Sequence, residues 1–223
     1  MESRVEPGGG GRRERNKQRV RDRIYTAALE LFSERGYETT TVDDIAQRAD
    51  VARGTFFNHF RRKEDLIAEW AEQRRTMMTE RLELPLSAAT TDSASLLQLA
   101  LGILAQVNEE QRALTETMLG AWVRAGKPLT EDPYTAEVFA RIVRTGVQRG
   151  EIDRHIDPDF MGDVLRDVYL GALYRWARRS SVPGELGRDL SAILWIMLRG
   201  MLIERTSGPL INQGITPAAA SRR

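Results

Sequence analysis

The sequence contains no cysteine among its 223 residues. Disulfide bonds, thiolate catalysis and zinc sites built on cysteine are therefore excluded, and the absence fits a reducing compartment. No stretch approaches the roughly 20 consecutive apolar residues that a membrane-spanning helix needs. The Gly- and Arg-rich N-terminus also lacks the apolar run of a secretory signal. We therefore expect a soluble, cytoplasmic protein.

The net charge is only +1, so neither sign of charge is in clear excess over the whole chain. The charges are nevertheless unevenly distributed. Residues 1–63 carry 14 Lys and Arg against 10 Asp and Glu, whereas residues 64–223 carry 19 against 22. Seven basic residues between positions 12 and 23 are accompanied by two acidic ones. Such a basic arm suits a polyanion such as nucleic acid, and it equally suits a solubilising tail.

Apolar residues recur at three- and four-residue steps along most of the chain, which predicts helices. Gly36 stands where the first helix should end, and Thr41 with Asp44 has the form of a capping box that opens the second. Asp132-Pro133 and Asp157-Pro158 each place an N-cap before a proline suited to the first helical position. Pro85 and Pro183-Gly184 indicate breaks. Nothing alternates as a strand does, so the predicted fold class is all-α.

The segment "VARGTFFNHF", residues 51–60, combines three aromatic residues with polar ones. It follows the short helix "TTVDDIAQRAD" after a brief turn, which is the helix-turn-helix pattern. Asp50 tolerates the unusual backbone angles of such a turn, and Val51 supplies its apolar plug. Phe56 and Phe60 lie four residues apart and form the inward face of the second helix. Its polar residues are then left to point away from the core.

The second helix of this motif enters the major groove of DNA with its N-terminal residues nearest the bases. Arg53 can bond guanine, and the Thr55 methyl group can contact thymine. Gly54 would let the helix approach closely. Phosphate contacts are expected from the remaining polar side chains, which are Thr41, Asn58, His59 and Lys63.

The run "AALELFSERGYETTTVDDIAQRADVARGTFFNHFRRKEDLI" resembles the N-terminal domain of TetR-family transcriptional regulators over about residues 19–67. The resemblance implies three DNA-binding helices, a fourth connecting helix and a helical C-terminal domain that binds a ligand and dimerises. Phe57 stands where the family usually has Tyr, so a hydroxyl contact to phosphate should be missing. Ala52 replaces a common capping Ser, which forgoes about 1 kcal/mol. Arg62 occupies another frequent cap position.

The predicted organisation has four parts. Residues 1–18 form a flexible basic arm, and residues 19–62 form a three-helix helix-turn-helix DNA-binding domain. Residues 63–206 form a helical ligand-binding and dimerisation domain, and residues 207–223 form a flexible tail. The arm is a candidate for reaching an adjacent minor groove.

Met and aromatic side chains at helical spacing make candidate walls of a ligand site, although such residues more often form plain core. The predicted ligand residues are Trp70, Met77, Met118, Trp122, Phe139 and Tyr169. An apolar or amphipathic small molecule is the expected ligand, and no cofactor or metal is expected.

A single short recognition helix reads few base pairs, so such modules usually work as dimers on two-fold operators. The last two helices carry apolar residues on more than one face and are the expected dimer surface. The predicted interface residues are Leu165, Ala172, Trp176, Ile193, Met197, Gly200 and Met201.

The predicted function is that of a ligand-responsive, sequence-specific transcriptional regulator, a repressor that a small molecule releases from a palindromic operator. Two other functions compete with this prediction. His155 with Asp153, Asp157 and Asp159 could suggest a metal or acid-base site, but Asp157 is better explained as a helix cap. The sequence also has no phosphate-binding glycine loop and no HExxH spacing, so no catalytic residue is predicted and the chain is not expected to be an enzyme. The stronger alternative is an architectural DNA-binding protein that responds to no ligand.

Overall fold

A computed structural model describes residues 9–88, 90–129, 134–179 and 182–201. These residues are almost entirely helical and contain no strand, so the all-α prediction is confirmed. No helix in the described ranges is both long and apolar enough to cross a membrane. The helices are α1 (Gly9–Arg35), α2 (Val42–Arg48), α3 (Arg53–His59), α4 (Asp65–Ser87), α5 (Ser93–Glu110), α6 (Arg112–Arg124), α7 (Tyr134–Gln148), α8 (Pro158–Ala177) and α9 (Glu185–Met201), with a short 3₁₀ turn at Lys127–Leu129.

Several predicted helix ends are confirmed. Gly36 follows α1 with a φ of 88°, a left-handed conformation that glycine adopts without the penalty of a Cβ atom. Asp157 caps α8, since its side chain accepts hydrogen bonds from the backbone of Asp159 and Phe160. The predicted cap at Asp132-Pro133 lies outside the described residues, as do the first eight residues and the predicted tail.

Two expectations about boundaries need correction. The first is only a matter of register: the break predicted at Pro85 and the polar residues after it is present, since α4 ends at Ser87 and α5 begins at Ser93, but Pro85 itself lies inside α4. It falls in the last turn, where the loss of one backbone hydrogen bond ends the helix only a few residues later. Residues 9–18, expected in a flexible arm, belong to α1, because Arg, Lys, Glu and Gln are good helix formers and extend the helix backwards.

The helices enclose two cores. The first, which we call the head core, joins α1, α2, α3 and the start of α4, and three residues of α6 complete it. The second, the C-terminal core, joins α5, α7, α8 and α9 with the end of α4 and Leu119 of α6. Trp122 of α6 packs against both. Helices α4 and α6 therefore both contribute to the two cores and connect them physically.

Helices α7 and α8 pack closely because of Gly162. A Cβ atom at this position would collide with the carbonyl oxygen of Ala136 and lie 2.9 Å from the Cβ of Ala140. The neighbouring backbone cannot easily give way, so this crossing requires glycine.

Candidate nucleic-acid interface

The turn between α2 and α3 has the geometry that its sequence predicts. Asp50 adopts a φ of 51°, the left-handed conformation that Asp and Asn tolerate better than most residues. The backbone N–H of Val51 donates to the carbonyl of Ala46 at 3.0 Å. Arg23 of α1 donates to the carbonyls of Ala49 and Asp50 and so holds the turn against α1. The turn is fixed by local and distant contacts together.

Helix α3 is anchored on one face. Phe56 and Phe60 are buried in the head core, with their ring centroids 5.8 Å apart. The inward direction predicted for both residues is confirmed. The first turn of α3 presents Arg53 and Gly54 to solvent, and Asn58 is exposed further along the helix. One face of α3 therefore packs on the head core, while its polar residues stay accessible to a partner.

Two further side chains of α3 lie between these faces, at the edge of the core. Thr55 and His59 are half-buried. Phe57, in contrast, is 43% exposed and contacts the Phe56 ring edge-on. An aromatic ring that is exposed this far adds apolar surface to α3, and it carries no hydroxyl group that could form a hydrogen bond.

Arg53 forms an ion pair with Asp43 of α2, and its guanidinium also lies 5.6 Å from the centre of the Phe57 ring. Both charged side chains remain more than half exposed. The ion pair joins the first residue of α3 to α2. A base or phosphate that binds Arg53 must compete with Asp43, a contact that spacing along the sequence did not reveal.

Gly54 has open space around it, since a Cβ atom placed there would have no neighbour within 4 Å among the described residues. Its backbone conformation is ordinary for a helix, so neither strain nor packing requires glycine here. Glycine costs an exposed helix about 1 kcal/mol relative to alanine. The glycine leaves the surface of α3 without a side chain at this position.

Ala52 is the N-cap of α3, and its side chain makes no capping hydrogen bond. The loss of a cap expected from Ala in place of Ser is confirmed.

Thr41 is the N-cap of α2, and its side chain does cap the helix. Its hydroxyl accepts a hydrogen bond from the backbone N–H of Asp44 at 3.2 Å, and the carboxylate of Asp44 accepts one from the backbone N–H of Thr41 at 2.8 Å. The predicted capping box is confirmed. Its hydroxyl is thus already engaged within the chain.

Lys63 has a structural role that the sequence did not predict. Its ammonium donates to the carbonyls of Tyr37 and Thr40, at 2.8 Å and 3.0 Å, and lies 4.1 Å from the centre of the Tyr37 ring. Two of its three N–H donors are therefore used in holding the loop between α1 and α2. Arg62, which stands at another frequent cap position of the family, is not the N-cap of α4. That residue is Glu64, and the backbone N–H of Arg62 donates to the carboxylate of Asp65 at 3.1 Å.

Arg21 is a further residue that sequence reasoning missed. It donates to the carbonyl of His59 at 2.9 Å, forms a 2.6 Å ion pair with Glu69 of α4, and lies 4.3 Å above the Phe60 ring. It therefore fixes the end of α3 between α1 and α4. Burial, with the charges of Arg21 and Lys17 nearby, lowers the pKa of His59.

The comparisons with known proteins agree with this geometry. Residues 24–70 match the family model described as "Bacterial regulatory proteins, tetR family". The transcriptional regulator TcmR of Streptomyces glaucescens is 47% identical over 64 residues, which span 29% of this chain and 28% of that protein. The transcriptional repressor KstR of Mycolicibacterium smegmatis is 28% identical over 209 residues, covering 88% of this chain and 93% of KstR. Together these matches support a TetR-family transcriptional regulator.

A solved structure extends the likeness to the C-terminal half. The TetR-family repressor FadR of Thermus thermophilus, in complex with lauroyl-CoA, superposes with a TM-score of 0.63 at 28% identity. The alignment covers 85% of this chain and 98% of FadR. The predicted arrangement of an N-terminal helix-turn-helix domain and a helical C-terminal domain is confirmed.

The six predicted ligand residues do not form one site. Trp70 and Met118 are buried in the head core, whereas Phe139 and Tyr169 are buried in the C-terminal core. Met77 packs against the C-terminal core, and Trp122 packs against both. None of the six lines any of three cavities that open on the described surface. Their burial makes them core residues in this structure, which periodicity alone could not distinguish from pocket walls.

A polar cluster that was not predicted lies between α4, α5, α6 and α8. The buried Asn108 amide donates to the hydroxyl of Tyr169 at 3.0 Å, and the buried Thr115 hydroxyl donates to the carbonyl of Asn108 at 3.3 Å. Arg74 donates to Thr115 and stacks on Trp70, at 3.9 Å from the ring centre. Burial lowers the pKa of Arg74. This cluster ties the connecting helix α4 to the C-terminal helices.

The three cavities differ in their linings. One lies between α4 and α7 and is lined mainly by charged residues. A second, of about 820 Å³, lies between α6 and the end of α8 and has a mainly apolar lining. A third lies between α8 and α9 and is lined by residues that include Val164 and Gly171 of α8 and Ile193 of α9. The second has the volume and lining that small-molecule sites usually have.

The predicted dimer residues fall into two groups. Leu165, Ala172 and Trp176 are buried within the C-terminal core, so the assignment of these three to an interface is wrong, since a side chain packed inside one protomer cannot contact another. Ile193 and Met197 are half-buried, Gly200 is exposed, and Met201 is the last described residue of α9. The sequence missed Trp195 and Ile196, which are 58% and 65% exposed.

The loop before α8 does not assemble a site around His155. The backbone N–H of His155 donates to Asp153 at 2.9 Å, while Asp157 caps α8 and Asp159 pairs with Arg144. In the described ranges, no group of three or more His, Cys, Asp and Glu residues is arranged to hold a metal ion.

Proposed function

We propose that this chain is a ligand-responsive repressor that binds a palindromic operator as a homodimer and is released by an apolar or amphipathic small molecule. The observation that carries the proposal is the exposed polar edge of α3, anchored from beneath by Phe56 and Phe60. The TetR-family assignment supports it, and so does the similarity to KstR, which is named as a transcriptional repressor.

The proposed base contacts come from the first turn of α3. Arg53 bonds the O6 and N7 atoms of guanine after leaving Asp43, and the Thr55 methyl group contacts thymine. Gly54 allows the backbone to come close to the duplex. Asn58 and His59 bond phosphate oxygens, with Phe57 packing against the sugar-phosphate backbone.

Thr41 and Lys63 were predicted as phosphate contacts, and both already bond within the chain. We assign them an indirect part, in which they fix the start of α2 and the loop before it. The third N–H of Lys63 is the group through which a direct phosphate contact would be made. The basic residues at the start of α1 supply sequence-independent attraction to the phosphates.

The proposed dimer surface is the outer side of α8 and α9. Trp195, Ile196 and Phe160 expose large apolar side chains there, and apolar exposure of this kind marks association surfaces. In this assignment residues 19–62 are the DNA-binding domain and residues 63–206 the ligand-binding and dimerisation domain. The α1 residues before position 19 extend the former.

We expect the ligand to release the protein from DNA through the contacts that join the two cores. Helix α6 contributes to the head core and also packs on α8, so a ligand that shifts α6 changes the position of the head. A ligand that prefers the DNA-incompetent state by 1–3 kcal/mol changes DNA affinity roughly 5- to 150-fold. The complex of FadR with lauroyl-CoA, an amphipathic molecule, supports an effector of this kind.

The test is selection of DNA sequences from a random library, followed by mobility shift at increasing salt concentrations. We expect a palindromic consensus bound by two subunits, with affinity that falls linearly on a logarithmic salt scale. Salt-dependent binding without sequence preference would instead support the architectural alternative. No binding by the ligand-free protein would contradict both.

A further inference from the structure

The groove between α6 and the end of α8 has an apolar floor and a basic rim. Leu119, Val123 and Ala177 line it together with Tyr174, and two arginines, Arg124 and Arg178, stand at its edge. Glu116 also lines the groove, but its carboxylate pairs with the guanidinium of Arg112 at 2.7 Å. The described lining therefore combines apolar surface with a net positive charge.

Gly120 lies in the interior of α6 and lines the same groove. A Cβ atom at this position would meet nothing closer than the guanidinium of Arg124, at 3.4 Å, and that flexible side chain could move. Neither backbone conformation nor packing therefore requires glycine, although it weakens a helix by about 1 kcal/mol relative to alanine. Space in the groove is what its small size preserves.

Arg124 connects this groove with the head. Its Nε–H donates to the carboxylate of Glu38 at 2.9 Å, and Glu38 lies in the loop between α1 and α2. The same loop is held from the other side by Lys63. The side chain that borders the groove is thus also a direct electrostatic link between α6 and the DNA-binding head.

We propose that this groove binds an amphipathic organic carboxylate, and that the bound carboxylate takes Arg124 away from Glu38. The apolar part of the ligand covers Leu119, Val123 and Tyr174, and its carboxylate lies between Arg124 and Arg178. Loss of the Arg124–Glu38 pair frees the loop before α2 from α6. The proposal rests on the proposed function, because it names the ligand class and the link through which release occurs.

The first experiment measures decanoate binding by isothermal titration calorimetry in the absence of DNA, with decanol as the neutral counterpart. We expect saturable decanoate binding at one site per chain, and at least tenfold weaker binding of decanol, because a charge-assisted hydrogen bond is worth about 1.5–3 kcal/mol. No decanoate binding, or equal binding of both compounds, would overturn the proposal.

Two variants test whether decanoate binds in this groove. Gly120→Leu fills the groove and should weaken decanoate binding at least tenfold, whereas Gly102→Leu adds the same side chain to an exposed position of α5 with open space around it and should leave binding unchanged. Equal decanoate affinity of the two variants would overturn the assignment. Circular dichroism confirms that both retain their helices.

A third variant tests the link. Glu38→Gln removes the competitor for Arg124, so it should bind decanoate more tightly than the unaltered protein, while decanoate should no longer change its DNA affinity. Unchanged decanoate affinity in Glu38→Gln would overturn the coupling. The calorimetry needs no DNA, so failure of the groove and failure of DNA binding are separate results.

Discussion

The head and the C-terminal part are both built from amphipathic helices, but they leave different residues on their surfaces. Helix α3 and its C-cap bury Phe56 and Phe60, while α3 presents Arg53, Gly54 and Asn58 to solvent. Helix α9, in contrast, exposes large apolar side chains, those of Trp195 and Ile196. The first surface suits a hydrated polyanion and the second suits another apolar surface. The two faces therefore indicate two different partners.

The largest expected effect is the unfolding of the head without loss of the C-terminal helices. Phe56→Ala removes a ring that is wholly buried, and such truncations lower the free energy of unfolding by about 3–5 kcal/mol. We expect DNA binding to be lost while the C-terminal helices persist, as measured by chemical denaturation with circular dichroism. Phe57→Ala is the control, because its exposed ring should cost little stability. Equal loss of stability in both variants would contradict the packing described for α3.

The next effect concerns the exposed apolar face of α9. Trp195→Glu should dissociate the dimer, because a buried interface tryptophan commonly contributes about 2 kcal/mol or more to association. Sedimentation velocity should then show a monomer that retains its helices. Leu84→Glu, at a side chain that is 81% exposed near the end of α4, is the matched control and should leave the dimer intact. A dimer of unchanged strength in Trp195→Glu would place the interface elsewhere.

A smaller effect on DNA affinity is expected from the ion pair between Arg53 and Asp43, on the proposed DNA-binding surface. Asp43→Asn removes the ion-pair partner of Arg53, so DNA no longer competes with it. Exposed ion pairs are worth about 0.2–1 kcal/mol, which corresponds to DNA affinity up to about fivefold higher in Asp43→Asn. Fluorescence anisotropy with labelled operator DNA measures the change. Glu30→Gln, which alters a carboxylate paired with Arg48, should leave the affinity unchanged.

The smallest effect is a pH dependence centred on His59, whose pKa in the free protein is lowered by burial, Arg21 and Lys17. A phosphate neighbour would raise this pKa, so complex formation would take up a proton and DNA affinity would increase as pH falls through the region around 6.5. The gain should be below about tenfold, the scale of a one-unit pKa change. His59→Gln should remove it.

The same titration affects the stability of the free head in the opposite direction. Because the folded-state pKa of His59 lies below its unfolded value, the unfolded chain binds the proton first as pH falls. The contribution to stability is therefore complete above about pH 6.5 and declines below it. Thermal denaturation of the protein without DNA, from about pH 8 to about pH 5.5, measures this decline and separates it from the DNA effect.

The head was the more predictable part, because its signals are local. The capping box of Thr41 and Asp44, the turn at Asp50 and the inward pair of Phe56 and Phe60 depend on spacings of three to four residues. The contacts that were missed join residues far apart in the chain. Arg53 with Asp43, Lys63 with Tyr37 and Arg21 with Glu69 are examples, and periodicity carries no information about them.

The C-terminal part was predictable as helix but not as a surface. Helices α8 and α9 are apolar on more than one side, so the pattern could not separate the face toward the core from the face toward a partner. Trp176 was expected at an interface and is buried within the chain, whereas Trp195 was overlooked and is exposed. Which tryptophan lies inside depends on how α8 and α9 pack together, and that packing is a tertiary property.

The central claim is that the exposed edge of α3 reads DNA sequence, and Arg53 tests it most directly. The measurement is the affinity of the unaltered protein and of Arg53→Ala for the selected operator and for its single-base variants. We expect Arg53→Ala to lose about 1–3 kcal/mol of discrimination at one base pair in each half-site and to keep its preference elsewhere. Unchanged discrimination at every position would contradict the assignment of α3 as the reading helix.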